Sequence, residues 1–322
     1  MASHLLKPSS PLPHQTYLLS LQKPVPRRLT VLSLSSSSST STTTTTPPSS
    51  REEAISQAKL SLSTTLKKPL NNPMPLPSRR LKKLSQPRYR VEIPLVDDSP
   101  DSLVRLAFEV FSGLPVTRKG STPTVLIIWP NATVLQLAQQ AFDSVASVTN
   151  SDLGSVTAGV LSSADLAVFL APEASMLEEF RRVTTTLLYP KPVVLFNPKW
   201  GFEEEKGFGD GLGSFVGSFD VVYSFMGLEV RGLIRRRKGV VFKCARDGVA
   251  AGGEGWLVMV EEEEEGRTKG ELKVVSRFKR RPTIGEVESV LYNLMAASSP
   301  VTKSVKFIRD LASSVVGNKG KQ

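Results

Sequence analysis

The stretch that decides the fold reads Thr124-Val125-Leu126-Ile127-Ile128-Trp129. It is a short, β-branched and apolar run, which is typical of a strand buried on both faces of a parallel sheet. Asn131 follows and can cap a helix, which we expect over residues 132–146. Strand and helix then alternate again, with strands predicted at 165–170 and 193–196 and a helix at 173–188. This alternation predicts a mainly parallel sheet with right-handed crossovers.

The pattern extends in both directions from this centre. On the amino-terminal side we expect a strand at 89–95 and a helix at 101–111. After a glycine-rich loop at 201–217, short apolar runs joined by turns predict antiparallel strands. These lie at 220–225, 229–234, 239–244, 256–260 and 272–277, with a closing helix at 283–297. The fold class is therefore α/β, with a mainly parallel sheet flanked by helices in the amino-terminal half that continues into antiparallel strands in the carboxyl-terminal half.

Residues 1–50 have the composition of an import segment. They are rich in serine and threonine, contain no acidic residue, and hold only Lys7, Lys23, Arg27 and Arg28 as basic residues. Acid-poor, hydroxyl-rich leaders are typical of organellar transit peptides, and the low arginine count favours the chloroplast. A disordered low-complexity tail is the alternative interpretation.

The rest of the chain is predicted to have three parts. Residues 51–88 comprise a helix, ended by Pro69, and a basic proline-rich leader. Residues 89–300 form a single α/β domain, and residues 301–322 form a helical tail. No apolar run approaches the ~20 residues that cross a bilayer, so no transmembrane helix is predicted.

The net charge of +11 is concentrated ahead of the predicted domain. Residues 1–50 carry +4, residues 51–90 carry +8, and residues 91–322 carry −1. Nucleic-acid-binding domains usually carry the positive excess on the fold itself, so this distribution argues against one. Arg79-Arg80 resembles the start of a twin-arginine export signal, but no apolar stretch follows it. We therefore expect the protein in the stroma or at the stromal face of the thylakoid membrane.

The residue types that most catalytic sites need are scarce. Both histidines, His4 and His14, lie in the predicted import segment, and Cys244 is the only cysteine. The mature chain would then lack the commonest general base and metal ligand. The glycine-rich loop matches neither the dinucleotide fingerprint nor the phosphate loop, and the acidic runs at 203–205 and 261–265 are interpreted as solvated. We assign no catalytic, cofactor-binding or metal-binding residue and expect no enzyme.

Two basic clusters are the candidate interaction residues. If the strands that carry them are neighbours, the clusters form one patch for RNA phosphate, an anionic lipid headgroup or an acidic protein face. A merely solvated turn is an equally weighted alternative. A second candidate is the basic leader, which would favour the thylakoid surface. The patch comprises Arg235, Arg236, Arg237, Lys238, Lys279, Arg280 and Arg281, and the leader comprises Arg79, Arg80, Lys82, Lys83, Arg88 and Arg90.

Four short segments, in their order and spacing, resemble those of a known family. They are Tyr89-Arg-Val-Glu-Ile-Pro94, Val193-Val-Leu-Phe-Asn-Pro198, Asp220-Val-Val-Tyr-Ser-Phe225 and Arg281-Pro-Thr-Ile-Gly-Glu286. The chain resembles a domain of unknown function from plants, algae and cyanobacteria, whose plant members include the low-photosystem-II-accumulation assembly factors. The resemblance covers residues 51–300. It implies a stromal or thylakoid-associated auxiliary protein for photosystem II, and it carries no catalytic residue across.

The leading hypothesis is therefore a non-enzymatic factor for photosystem II assembly or maintenance. Its expected partners are photosystem II core subunits or other assembly factors, with peripheral contact to the thylakoid membrane and no cofactor. Nucleic acid is not an expected partner. Two alternatives stay open: a plastid RNA-binding protein that uses clusters 235–238 and 279–281, and an unrecognised plastid enzyme in which loop 201–217 is a lid.

Overall fold

The computed structural model describes residues 47–72, 86–95, 97–231, 236–245, 255–261 and 272–298. The predicted import segment up to residue 46 and the predicted tail at 301–322 lie outside these residues. So do five residues of the candidate surfaces, namely Arg79, Arg80, Lys82, Lys83 and Arg235.

Within the described residues, nine strands form one sheet. Their order across the sheet is β3-β2-β4-β5-β1-β6-β7-β8-β9. The strands are β1 (Arg88–Glu92), β2 (Val125–Trp129), β3 (Val148–Asp152), β4 (Leu166–Leu170), β5 (Val193–Phe196), β6 (Asp220–Arg231), β7 (Arg236–Cys244), β8 (Trp256–Glu261) and β9 (Leu272–Phe278).

The sheet changes from parallel to antiparallel at β6. Every pair from β3 to β6 is parallel, and every pair from β6 to β9 is antiparallel. The α/β fold class predicted from the sequence is thereby confirmed. Glu92, the last residue of β1, pairs with Ser224, and β6 runs on to Arg231. The antiparallel strands therefore extend beyond the carboxyl edge of the parallel ones.

Helices cover both faces of the sheet. One face is packed by α1, α2 and α3, and the other by α4, α5 and α6, while α7 packs on the antiparallel strands. A π-helical turn at Val183–Leu187 follows α5, and 3₁₀ turns lie at Ala174–Met176 and Glu204–Gly207. The helices are α1 (Arg51–Asn71), α2 (Pro100–Phe111), α3 (Ala132–Ala141), α4 (Ala158–Ser163), α5 (Leu177–Arg182), α6 (Gly209–Gly217) and α7 (Ile284–Ser298). No helix among the described residues has the length and apolar character to span a membrane.

Helix α1 belongs to the core, although the sequence placed it ahead of the α/β domain. Its start is capped by Ser50, whose Oγ accepts from the Glu53 N–H, and the Glu53 carboxylate accepts from the Ser49 N–H just before the cap. Ala58, Leu62 and Leu66 are fully buried in the same cluster as β1 and β2. The helix continues through Pro69, so the prediction that Pro69 ends it was wrong.

Two elements between residues 141 and 166 were missed by the sequence analysis. Helix α3 ends at Ala141 rather than near residue 146, which leaves room for β3 and the short helix α4. Strand β3 reads Val-Thr-Asn-Ser-Asp and buries only Val148 and Ser151. It is an edge strand, paired on one side by β2, so it needs little of the apolar character by which strands are recognised.

The glycine-rich segment at 201–217 is not the long loop that was predicted. Its second half is α6, in which Phe215 and Val216 are buried. The Phe215 ring packs edge-on against Phe180 and Phe219, with centroids 5.0 and 5.3 Å apart. Tertiary packing of these aromatic rings outweighs the low helix propensity of glycine.

Candidate functional site

A buried ionic cluster lies where β1 and β6 reach the carboxyl edge of the parallel strands. We define it by four charged residues, Arg90, Glu92, Glu205 and Arg281. Arg90 and Glu92 are two residues apart in β1, so their side chains leave the same face of the sheet. Arg90 is 3 % exposed, and the side chains of Glu92, Glu205 and Arg281 are 12, 12 and 9 % exposed.

Arg90 bridges the two carboxylates. Its Nε and Nη2 atoms lie 2.8 and 2.7 Å from Glu92 Oε1, and its Nη1 lies 2.5 Å from Glu205 Oε1. The indole N–H of Trp200 donates to the same Glu205 oxygen at 3.2 Å. The guanidinium therefore ties β1 to the segment that follows β5.

Arg281 brings the carboxyl-terminal part of the chain into the cluster. Its Nη1 donates to Glu92 Oε1 at 3.1 Å and its Nη2 lies 2.8 Å from the Met226 sulfur. The guanidinium carbon stands 4.4 Å from the ring centroid of Phe202 and 5.2 Å from that of Trp256. Such stacking suits the flat, weakly hydrated guanidinium of arginine.

Glu92 is the centre of the cluster. Its Oε1 accepts from both arginines, and its Oε2 accepts from Ser224 Oγ at 2.6 Å. Burial acts to raise the pKa of this carboxyl group, but Arg90 and Arg281 outweigh it and lower the pKa to about 2. For Arg90, the lowering effect of burial is outweighed by Glu92 and Glu205, so its pKa is raised.

This arrangement fixes charges rather than moving protons. Two guanidinium groups face two carboxylates, so the formal charges balance. A carboxyl group with a pKa of about 2 stays ionised near neutral pH and is a poor general acid or base there. Perturbed pKa values mark structural ion-pair networks as well as active sites. The geometry suits a clamp that holds three distant segments of the chain in one place.

A second contact strengthens the same clamp. Glu203 Oε1 accepts from the backbone N–H of Ile284, the first residue of α7, at 3.1 Å. The Glu286 carboxylate accepts from the Thr283 N–H at the same helix start. The acidic run at 203–205 was interpreted as solvated, and for Glu203 and Glu205 this was wrong, because both carboxylates have fixed partners. Among the described residues, no group of three potential metal-ligating side chains comes together.

The two basic clusters of the predicted patch lie at different places along the antiparallel strands. Gly239, next to Lys238, pairs with Val260, which pairs with Lys273, whereas Lys279 follows the opposite end of β9. Lys238, Lys279 and Arg280 are exposed, while Arg281 is buried in the ionic cluster. Arg236 and Arg237 begin β7. The register thus does not join the described members into one patch, since about six residues, or ~20 Å, separate Lys238 from Lys279 along the strand direction.

The described part of the basic leader is also not a free surface. Arg90 is buried in the ionic cluster. Arg88 Nη1 donates to Ser218 Oγ at 2.8 Å, and its guanidinium carbon lies 5.1 Å from the centroid of the Phe215 ring. Strand β1 has to carry these side chains inward because it lies between β5 and β6 with helices over both faces.

Sequence reasoning missed most of the ionic cluster. The pair Arg90 and Glu92, at alternate positions of a predicted strand, was the one local signal available. Glu205 and Arg281 lie 115 and 189 residues away from their partners in β1, and Ser224 lies 132 residues from Glu92. Local sequence patterns do not predict contacts between residues that are so far apart in the chain.

Comparison with known proteins identifies the family. No curated protein matches the chain at a significant level. The family model described as a domain of unknown function, DUF1995, matches residues 48–289. The match begins just before α1 and extends into α7. It thus includes α1, in agreement with the place of that helix in the core. The chain therefore belongs to the DUF1995 family.

Proposed function

We propose that this protein is a non-enzymatic auxiliary factor for photosystem II assembly or maintenance in the chloroplast. It binds stroma-facing parts of photosystem II core subunits, or other assembly factors, at the thylakoid surface. The proposal rests first on the resemblance to the low-photosystem-II-accumulation factors, which is more specific than membership of the DUF1995 family. It rests second on the convergence of the resembling segments in space.

The convergence of those segments is the observation that carries the proposal. Three of the four provide β5, β1 and β6, which are neighbours in the sheet. The fourth begins with Arg281, which reaches the Glu92 carboxylate of β1. Segments that are scattered along the chain thus build one location, the carboxyl edge around the ionic cluster. Because the cluster itself is buried, the four segments support the proposal by fixing the shape of the edge around it.

The chemistry of that location favours binding over catalysis. Glu92 is held ionised by Arg90 and Arg281, and each carboxylate of the cluster already has its cation. Such charge pairs define shape and register more than they supply reactive groups. The alternative of an enzyme with a lid at 201–217 is less favoured, because α6 in the second half of that segment is packed through Phe215 and Val216. The RNA-binding alternative is weakened by the separation of Lys238 from Lys279.

Two measurements test the proposal. Plants that lack the protein should accumulate less photosystem II, with small subcomplexes persisting on native gels. In wild-type plants, the protein should be recovered on thylakoids, leave them in a salt wash, and migrate with those subcomplexes before the wash. Normal photosystem II accumulation in the absence of the protein would contradict the proposal.

A further inference from the structure

The amino edge of the parallel sheet carries a row of basic residues that the ionic cluster does not explain. We define the amino-edge belt as Lys67, Lys68, Arg118, Lys119 and Lys191. It lies at the opposite end of the strands from the ionic cluster, because its members precede β2 and β5 or end α1. The Asp165 carboxylate pairs with Arg118 there and acts on Lys191.

Specific contacts make the belt continuous. Asn71, at the end of α1, donates from Nδ2 to the Thr117 carbonyl at 2.8 Å and accepts from the Lys119 N–H at 2.9 Å. Arg118 is paired with Asp165, just ahead of β4. The Asp165 and Arg118 charges both act on Lys191, whose Nζ donates to the Leu161 carbonyl at 2.9 Å. These contacts link α1 on one face of the sheet to α4 on the other face, and to the residues just before β5 in the sheet.

A tight turn presents Lys119 to solvent. Arg118 and Ser121 exchange backbone hydrogen bonds of 2.8 and 3.0 Å around the two central residues. Both central residues have positive φ, 49° for Lys119 and 87° for Gly120, as in the tightest hairpin turns. A lysine rarely adopts this backbone conformation, so the turn is held by its surroundings, including the bond to Asn71. The backbone of Lys119 is therefore fixed, while its side chain extends into solvent.

The exposed cations of the belt are available to a partner. Lys67, Lys68 and Lys119 are all exposed, and within the described part of the chain none of them forms an ion pair. The other two cations have partners within the fold, because Lys191 donates to the Leu161 carbonyl and Arg118 pairs with Asp165. The chain leaves the belt at Asn72 and returns at Gln86, whose Nε2 donates to the Lys191 carbonyl at 2.9 Å.

We propose that the amino-edge belt is the surface by which this protein docks on anionic lipid headgroups. This inference rests on the proposed function, since it names the side of the molecule that faces the thylakoid. Lysine ammonium groups act as mobile point charges, which suits a fluid layer of headgroups. Single-stranded RNA is usually held by stacking on aromatic rings or arginine planes, and the three available cations are all lysines. Docking there keeps the carboxyl edge, with the ionic cluster, clear of the lipid and open to the stroma-facing parts of a protein partner.

A vesicle-binding experiment tests the docking surface. The full chain should sediment with vesicles of phosphatidylcholine that contain phosphatidylglycerol, and not with vesicles of phosphatidylcholine alone. The triple variant K67Q/K68Q/K119Q should bind roughly a hundredfold more weakly at low salt, because each lost cation costs about fivefold. The matched variant K238Q/K279Q/R280Q removes as many positive charges elsewhere and should bind like the wild type. Circular dichroism checks that both variants are folded.

A second measurement reads the orientation directly. Cys244 is the only cysteine and is 7 % exposed, so an introduced surface cysteine can be labelled selectively. A dye on Ser121→Cys, in the belt turn, should be quenched by a lipid-anchored quencher. A dye on Ser289→Cys, on the exposed side of α7, should not be.

The outcomes separate this inference from the proposed function. Equal losses in the two triple variants, or equal quenching of the two dyes, would overturn the belt as the docking surface. Belt-dependent binding of a single-stranded RNA oligonucleotide, with no preference for anionic vesicles, would overturn it in favour of RNA. Normal photosystem II in plants without the protein would end the proposed function and would leave the vesicle result as it stands.

Discussion

The side-chain amide of Asn197 is hydrogen-bonded to both backbone polar groups of Ile93. Its Oδ1 accepts from the Ile93 N–H at 2.7 Å, and its Nδ2 donates to the Ile93 carbonyl at 2.8 Å. Strands β1 and β5 send the chain to opposite faces of the sheet, and such a switch point is where α/β folds usually bind ligands. In this protein the amide occupies the space between the two strand ends and continues their pairing.

The first prediction concerns this contact. Asn197→Ala should lower the free energy of unfolding by about 3 kcal/mol, of which about 2 come from the two hydrogen bonds and about 1 from an alanine forced to a φ of +46°. Urea unfolding measures the loss, and faster exchange of the Ile93 amide proton locates it. Asn197→Gly removes the same bonds without the backbone strain, so it should cost less. Equal losses would show that the left-handed backbone carries no strain.

The second prediction concerns acid stability. The pKa of Glu92 is about 2 in the fold against 4.5 ordinarily, so its stabilising effect is complete above about pH 4.5 and is lost as the pH falls towards 2. A lowering of this size corresponds to roughly 3 kcal/mol. The unfolding free energy of the wild type should therefore fall more steeply between pH 4.5 and 2 than that of Glu92→Gln.

A control for the acid prediction is Asp97→Asn. The pKa of Asp97 is also lowered to about 2, chiefly by the Ser99 hydroxyl group, but this side chain is fully exposed to water. Solvent screening should keep its effect on stability small. A pH dependence that is the same in Glu92→Gln as in the wild type would contradict the role assigned to the ionic cluster.

The strands with the most apolar sequences were predictable, and the elements defined by long-range packing were not. β2, β4 and β5 are buried on both faces, so their sequences had to be continuously apolar. Strand β3 is an edge strand and gave no such signal. Helix α6 is formed by the burial of Phe215 against Phe180, a contact that no local rule for glycine-rich sequence anticipates.

The candidate site was less predictable than the fold. Arg281 was placed in a surface patch because it stands in a basic run, Lys279-Arg280-Arg281. In the structure, Arg280 is exposed while Arg281 is buried beside Glu92, so adjacent arginines have opposite roles. Which of them turns inward is decided by the position of a carboxylate 189 residues away. Residues in a charged run are usually exposed. A single member of the run is buried when a partner that is distant in sequence pairs with it.

The third prediction tests whether the segment at 209–217 behaves as a helix. Gly211 and Gly213 lie inside α6 at ordinary helical φ, and an added Cβ would come no closer than 3.9 and 3.6 Å to its surroundings. The double variant Gly211→Ala/Gly213→Ala should raise the free energy of unfolding by about 1 to 2 kcal/mol, because alanine loses less entropy in a helix. Denaturant unfolding measures the gain. Gly209 has a φ of +70°, so Gly209→Ala should destabilise instead. A mobile loop would respond to neither change.

The last prediction joins stability to function at Arg281. Arg281→Met removes the ion pair with Glu92 and the cation that stacks on Phe202 and Trp256, and should cost about 3 kcal/mol. Arg281→Lys should also lower the free energy of unfolding, because an ammonium group cannot reproduce the planar stacking of the guanidinium. Exposed Arg280 provides the matched control, and Arg280→Met should cost under about 1 kcal/mol. Hydrogen exchange should show the loss in α7, which Arg281 and Glu203 join to the sheet.

In plants that lack the protein, Arg280→Met should restore photosystem II, whereas Arg281→Met, even where the variant protein accumulates normally, should not. Full rescue by both variants would separate the ionic cluster from the function and leave it a purely structural clamp.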